Sequence, residues 1–207
     1  VDFRNVRPVD AICSDILKGT YSWIHLHPPG STFSPAQHPR LRSKTYPFGI
    51  PGLSDKLQRK VDNHNAMLMN FLRILNAAQN CDVVKVRVSM IIPDGSCLLQ
   101  WPSLQEWIRQ ADAFHFVFDH CRFGESFKRR MCCVTNFRPL QLTSLLCICA
   151  CPHPSMFSCR PKLGDTITAS VRSFDSRLWA QAFVECICSN LLEHDVSDTS
   201  LLNDSSP

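Results

Sequence analysis

Residues 54–79, Ser-Asp-Lys-Leu-Gln-Arg-Lys-Val-Asp-Asn-His-Asn-Ala-Met-Leu-Met-Asn-Phe-Leu-Arg-Ile-Leu-Asn-Ala-Ala-Gln, decide the fold class. Leu57, Val61, His64, Leu68, Phe71, Leu75 and Ala78 recur at steps of four and three, the period of one helical face. Ser54 stands ahead of them as a good N-cap. His64 falls on the apolar stripe, where a hydrogen-bonded core histidine is expected rather than a ligand.

Strand-like segments lie on both sides of this helix. Residues 21–27, Tyr-Ser-Trp-Ile-His-Leu-His, read as a strand that stops at Pro28-Pro29. Residues 83–92, Val-Val-Lys-Val-Arg-Val-Ser-Met-Ile-Ile, form a β-branched run. Further on, a short helix is expected from near Ser103 with Leu104, Trp107 and Ile108. A strand is expected over 113–119 and another from Cys132 to Thr135, with helices over 139–149 and 176–193. Strands alternating with helices predict an α/β fold with a largely parallel sheet and flanking helices. Residues 1–193 read as one domain, and the polar, acidic residues 194–207 as a disordered tail.

Composition sets the outer bounds. The chain has 207 residues, 44% hydrophobic and 19% charged, which suits a real core and excludes wholesale disorder. No stretch reaches the roughly 18 apolar residues of a membrane span, so no membrane partner is expected. A net charge of +4 does not by itself point to nucleic acid. Only 7 glycines are present, with no Gly-x-Gly-x-x-Gly, no P-loop and no Gly-x-Ser-x-Gly. Dinucleotide, P-loop nucleotide and serine-hydrolase readings therefore lack their motifs.

The 12 cysteines amount to about 6% of the chain, below the level of a disulfide scaffold. Most sit among apolar neighbours and read as reduced core residues of an intracellular protein, cytoplasmic or nuclear. Cys147, Cys149, Cys151, His153 and Cys159 are the residues that would supply a zinc site. Their Cys-x-Cys-x-Cys spacing lacks the usual Cys-x2-Cys clamp, so the expectation is a cysteine-rich helix end and no metal.

Three motifs occur in order. Pro28-Pro29-Gly30-Ser31-Thr32-Phe33-Ser34 follows the first strand. Pro93-Asp94-Gly95-Ser96-Cys97-Leu98-Leu99-Gln100-Trp101-Pro102 follows the second. Phe118-Asp119-His120-Cys121-Arg122-Phe123-Gly124 is followed by Lys128-Arg129-Arg130 and Val134-Thr135-Asn136. Between the first two runs Tyr46-Pro47-Phe48-Gly49-Ile50-Pro51-Gly52-Leu53-Ser54. In this order the chain resembles a divergent, mobile-element-associated branch of cytosine-C5 DNA-methyltransferase-like proteins, over roughly residues 1–190.

The resemblance implies a Rossmann-like methyltransferase sheet. In such proteins a Pro-Pro-Cys loop supplies a thiolate that attacks the flipped-out cytosine ring, and the Glu of Glu-Asn-Pro holds the base. Methyl transfer then comes from S-adenosylmethionine. Matched position by position, the nucleophile is Gly30 and the Glu-Asn pair is Ile91-Ile92, with Pro93 kept. A Lys-Pro-Thr appears as Arg129-Arg130-Met131. The Gly-rich cofactor loop would precede Asp2, so the domain reads as incomplete at its N-terminus. No cofactor is expected; S-adenosylmethionine would bind only if upstream residues completed the site. The surviving pocket would consist of Pro29, Ser31, Phe33, Ser34, Pro93, Ser96 and Asp119. Cys121 reads as structural.

Three functions fit this pattern. The first is a degenerate, inactive methyltransferase-like protein, a remnant of a mobile element. The second is a nucleic-acid-binding module, with DNA as partner. Residues 1–60 hold nine Lys/Arg against four Asp/Glu, and Arg40, Arg42 and Lys44 stand beside Tyr46 and Phe48 in the proline-rich loop. Lys128, Arg129 and Arg130 are further phosphate candidates. The third is an active enzyme with a replaced nucleophile, Ser31 beside His27.

Overall fold

The computed structural model describes residues 3–123, 128–150 and 153. The sequence-expected helix over 176–193 and tail over 194–207 lie outside them. The fold is α/β, with a four-stranded open mixed sheet of order β1-β2-β4-β3 and flanking helices. The strands are β1 (Trp23–Leu26), β2 (Arg87–Pro93), β3 (Phe114–Asp119) and β4 (Arg130–Thr135). The helices are α1 (Val6–Leu17), α2 (Asp55–Gln79) and α3 (Pro102–Gln110). Two compact units divide the chain, Val1–His115 with Cys132–Phe137 and Phe116–Met131 with Arg138–Pro207.

In the first unit α2 connects β1 to β2, which pair in parallel with Trp23 opposite Arg87 and Leu26 opposite Met90. Val61, Leu68, Phe71, Leu75 and Ala78 are buried as their spacing predicts, each large side chain contributing about 1.5–3 kcal/mol. Leu72, Ile74 and Ala77 are buried too, which widens the stripe, and α1 packs on α2. Ser54 occupies the N-cap position and its carbonyl accepts from the Gln58 N–H at 2.8 Å, but its hydroxyl makes no capping bond.

The sequence expectations pass over helix α1, although Val6, Val9, Cys13 and Ile16 recur at helical steps. Its two ends carry further signals. Asn5 caps it, with Oδ1 accepting from the Arg7 N–H at 3.1 Å. At the other end Gly19 N–H reaches Ile16 O at 2.9 Å and Thr20 N–H reaches Asp15 O at 3.0 Å. That is a Schellman motif, and it places Gly19 at φ 76°, where a side chain is strained. A Cβ there would also lie 2.6 Å from Val83 Cγ1. Val9 and Ile16 are fully buried, and Asp10 pairs with Arg73 of α2.

Strand β2 is buried from Val88 to Ile92, as a strand covered on both faces must be. Helix α3 starts with Pro102 in its first turn, and Trp107 Nε1 donates to Leu75 O of α2 at 3.2 Å. On the other side of β2, Asn136 follows β4. Its Oδ1 accepts from the Val88 N–H at 2.7 Å and its Nδ2 donates to Val86 O at 3.1 Å. Cys133 lies against the Met90 N–H. Numbers therefore rise along β4 as they fall along β2, and the pair is antiparallel.

The sheet is thus mixed rather than largely parallel. The cause is chain length: residues 120–129 between β3 and β4 are too few for the helical crossover that parallel neighbours need. The helix expected over 139–149 is also replaced. A short 3-10 segment spans Arg138–Thr143, and residues 144–149 are not helical.

Asn136→Ala removes an acceptor and a donor from the β2 backbone and should destabilise the protein by about 2–3 kcal/mol in urea unfolding. A loss below about 0.5 kcal/mol would show that the Asn136 side chain does not hold β2 to the strand beside it.

Candidate functional site

The parallel pair β1 and β2 ends at one edge, where open α/β sheets place their ligands. Two of the matched motifs begin there, and the loop after β1 folds onto the loop after β2. Phe33 and Ser34 N–H groups turn back to Gly30 O at 3.1 and 2.8 Å. Phe33 O then accepts from the Cys97 N–H at 2.9 Å and lies 3.4 Å from Ser96 Oγ. Gly30 sits directly on Pro93: a Cβ at position 30 would come 3.3 Å from Pro93 Cγ. Ile91 and Ile92 are core residues.

Of the sequence-derived pocket, Phe33 and Ser96 are buried, Pro29, Ser34 and Pro93 half-buried, and Ser31 exposed. His64, on the α2 stripe, is half-buried and its Nδ1 lies 2.9 Å from Thr32 Oγ1. Burial, Arg42 and Lys60 hold its imidazole below the usual range. It is a structural histidine, as its place on the stripe predicts.

Arg42 is the organiser of the proline-rich loop. It is 2% exposed. Its Nε donates to Thr32 Oγ1 at 3.1 Å, Nη1 to Pro47 O at 2.6 Å and Nη2 to Val61 O at 3.2 Å. Its guanidinium carbon lies 3.9 Å over the Phe33 ring. Burial pulls its pKa down to about 10, opposed by Cys97 and Asp62, so it remains charged at neutral pH. This corrects the sequence expectation that Arg42 faces a phosphate. Arg40 and Lys44 are exposed, as are Tyr46 and Phe48, although Phe48 also packs edge-on to Trp101 at 4.4 Å.

A cavity of about 500 Å3 in this unit lies elsewhere, at the amino end of β2. Val84, Trp107, Asp112 and Asn136 line it, and neither Gly30 nor Pro93 does.

In the second unit Asp119 ends β3 with a fully buried carboxylate. Arg130 Nε and Nη2 each donate to it at 3.2 Å, and the Cys147 N–H donates to Oδ2 at 2.9 Å. Burial would raise its pKa, but Arg130, the Cys147 N–H and Lys128 together hold it below the usual carboxylate range. Asp119 thus serves Arg130 and Cys147, and Arg130 is engaged with it. Lys128 and Arg129 are exposed.

The same residue fixes the segment that carries Cys147. Asp119 N–H donates to Leu145 O at 2.9 Å and Ser144 Oγ to Val117 O at 2.9 Å, so residues 144–147 run beside the end of β3. Cys121 follows β3 in the 3-10 segment His120–Phe123. The donor atoms of Cys121, Cys147, Cys149 and His153 all lie within 4.8 Å of one another. Cys147 Sγ is 3.1 Å from His153 Nε2. The Cys149 N–H and His153 bring the Cys147 thiol down to about 6, whereas burial and Cys147 push Cys121 up to about 12. Crowded thiols share one negative charge and resist a second.

Cys121 is the member that sequence reasoning missed, since it lies far from Cys147 along the chain. Cys151 and Cys159, two of the sequence-stated candidates, lie outside the described residues. All eight cysteines of the described residues are free thiols.

Arg130→Met should destabilise the protein at pH 7, because the Asp119 carboxylate loses its counter-charge. A carboxyl held low by the fold stabilises above its unfolded pKa of about 3.9, and that contribution is lost as pH falls through the lower folded value. The gap in melting temperature between wild type and variant should therefore narrow below about pH 4. A gap independent of pH would contradict the pairing.

No family model, curated protein or solved structure matches this chain.

Proposed function

We propose that this chain is a methyltransferase-like α/β protein that does not transfer methyl groups. The packing of Gly30 against Pro93 carries this reading. At the position matched to the attacking thiolate there is no side chain, and the neighbouring proline ring crowds the space its Cβ would take. Ile91, matched to the base-holding Glu, is a core residue with no hydrogen-bonding group. The framework around them persists: Phe33 and Ser96 are buried and join the two loops. Losing such framework would unfold the domain, whereas losing a nucleophile costs only activity.

A second reading is favoured by one observation, the exposure of Arg40 and Lys44 beside exposed Tyr46 and Phe48. Cations for phosphates and rings for bases are what a single-stranded nucleic-acid groove offers. In this reading the scaffold binds DNA and does no chemistry on it.

One experiment addresses both. The chain is titrated with DNA containing 5-fluorocytosine, with and without S-adenosylmethionine, across a salt series. The inactive scaffold should give no adduct that survives denaturation and no methyl incorporation, and a covalent adduct would contradict it. If the loop binds DNA, affinity should fall with salt, and Arg40→Ala/Lys44→Ala should reduce the salt slope by about two. Affinity indifferent to salt would remove the second reading.

A further inference from the structure

We propose that Cys121, Cys147, Cys149 and His153 form a structural zinc site that fastens the segment around Cys147 to the end of β3. Three sulfurs and one imidazole nitrogen converge within 4.8 Å. A tetrahedral zinc with Zn–S bonds of about 2.3 Å needs ligand-to-ligand edges of roughly 3.8 Å, so the wider pairs close by about 1 Å or less and the Cys147–His153 pair opens from 3.1 Å. Cys3His is an established structural donor set, and with four protein ligands no position remains open for catalysis.

The geometry also answers the objection raised by the spacing. On a helix, residues i and i+2 point to nearly opposite sides, and a Cys-x-Cys pair cannot grip one ion. Residues 144–149 are not helical. In an extended chain i and i+2 share a face. Cys147 and Cys149 accordingly converge, while Ile148 between them is 81% exposed. Cys121 arrives from the turn after β3, and His153 from beyond the second thiol.

The surroundings fit a dication. Asp119 accepts the Cys147 N–H, an outer-shell bond of the kind that orients metal ligands. Zinc with three thiolates and a neutral imidazole carries one net negative charge, and the Arg122 charge acts on Cys149. Binding displaces the protons that remain on the thiols, which pass to solvent, so no oxidant or reductant is involved.

The test uses the full chain, purified without chelator from zinc-supplemented medium. Mass spectrometry should find about one zinc per chain, and cobalt exchanged for it should show the visible bands of tetrahedral thiolate coordination. Cys121→Ser and Cys149→Ser should each weaken retention at least about tenfold, whereas Cys81→Ser, Cys151→Ser and Cys159→Ser should keep the ion. If Cys121→Ser does not fold, Cys121→His keeps a ligand and should bind cobalt with a weaker thiolate charge-transfer band. Wild type with no zinc and no tetrahedral cobalt spectrum would overturn the proposal. So would an ion whose retention depends on Cys151 or Cys159 and not on Cys121.

Discussion

The loop between β1 and α2 depends on one buried cation. A guanidinium removed from water must find acceptors, and Arg42 finds three, from Thr32, Pro47 and Val61. Those acceptors come from both ends of the proline-rich segment and from α2. Satisfying Arg42 therefore folds the segment down and fixes the place of Phe33, whose ring lies beneath the charge. Phe33 in turn receives the N–H of Cys97 from the loop after β2. The closed contact of Gly30 with Pro93 follows from this chain of dependence. A basic residue in a polar loop looks like a phosphate ligand in sequence, and here it is the anchor of a wall.

The second unit repeats the logic with the opposite sign. A buried Asp119 carboxylate takes Arg130 and the Cys147 N–H. Removing a charge from water is tolerable when it is paired and hydrogen-bonded, and the partners are then fixed in place. Here the fixing brings together three thiols and an imidazole. Asp119, expected from sequence in a pocket with Phe33 and Ser96, is buried and bonded to Arg130 and the Cys147 N–H.

The sequence was legible where a pattern repeats locally. Helix α2 showed because seven positions keep one helical phase, and β2 because Val86, Val88, Ile91 and Ile92 make a β-branched run in which Ser89 is the one polar residue from Val88 to Ile92. Helix α1 keeps a helical phase too, over Val6, Val9, Cys13 and Ile16, but in a run too short to stand out beside α2, and Asn5 and Gly19 mark its ends. Residues 145–149 are apolar at nearly every position, so period alone could not separate helix from extended chain. From sequence a largely parallel sheet is expected, and the short connection before β4 is the sign against it that the alternation of strands and helices outweighs. The roles of Arg42 and Cys121 were not readable, because each is set by partners distant in sequence or by burial that no local pattern encodes.

Amide hydrogen exchange across residues 28–53 and at Cys97 tests most directly that the strand ends are closed by an ordered wall. The Ser34, Ile50 and Cys97 N–H groups bond to Gly30, Leu41 and Phe33 carbonyls. They should exchange with protection approaching that of β2, and Arg42→Met should abolish that protection while β2 keeps its own. Exchange of these amides at the rate of an unstructured loop in the wild-type chain would contradict the account.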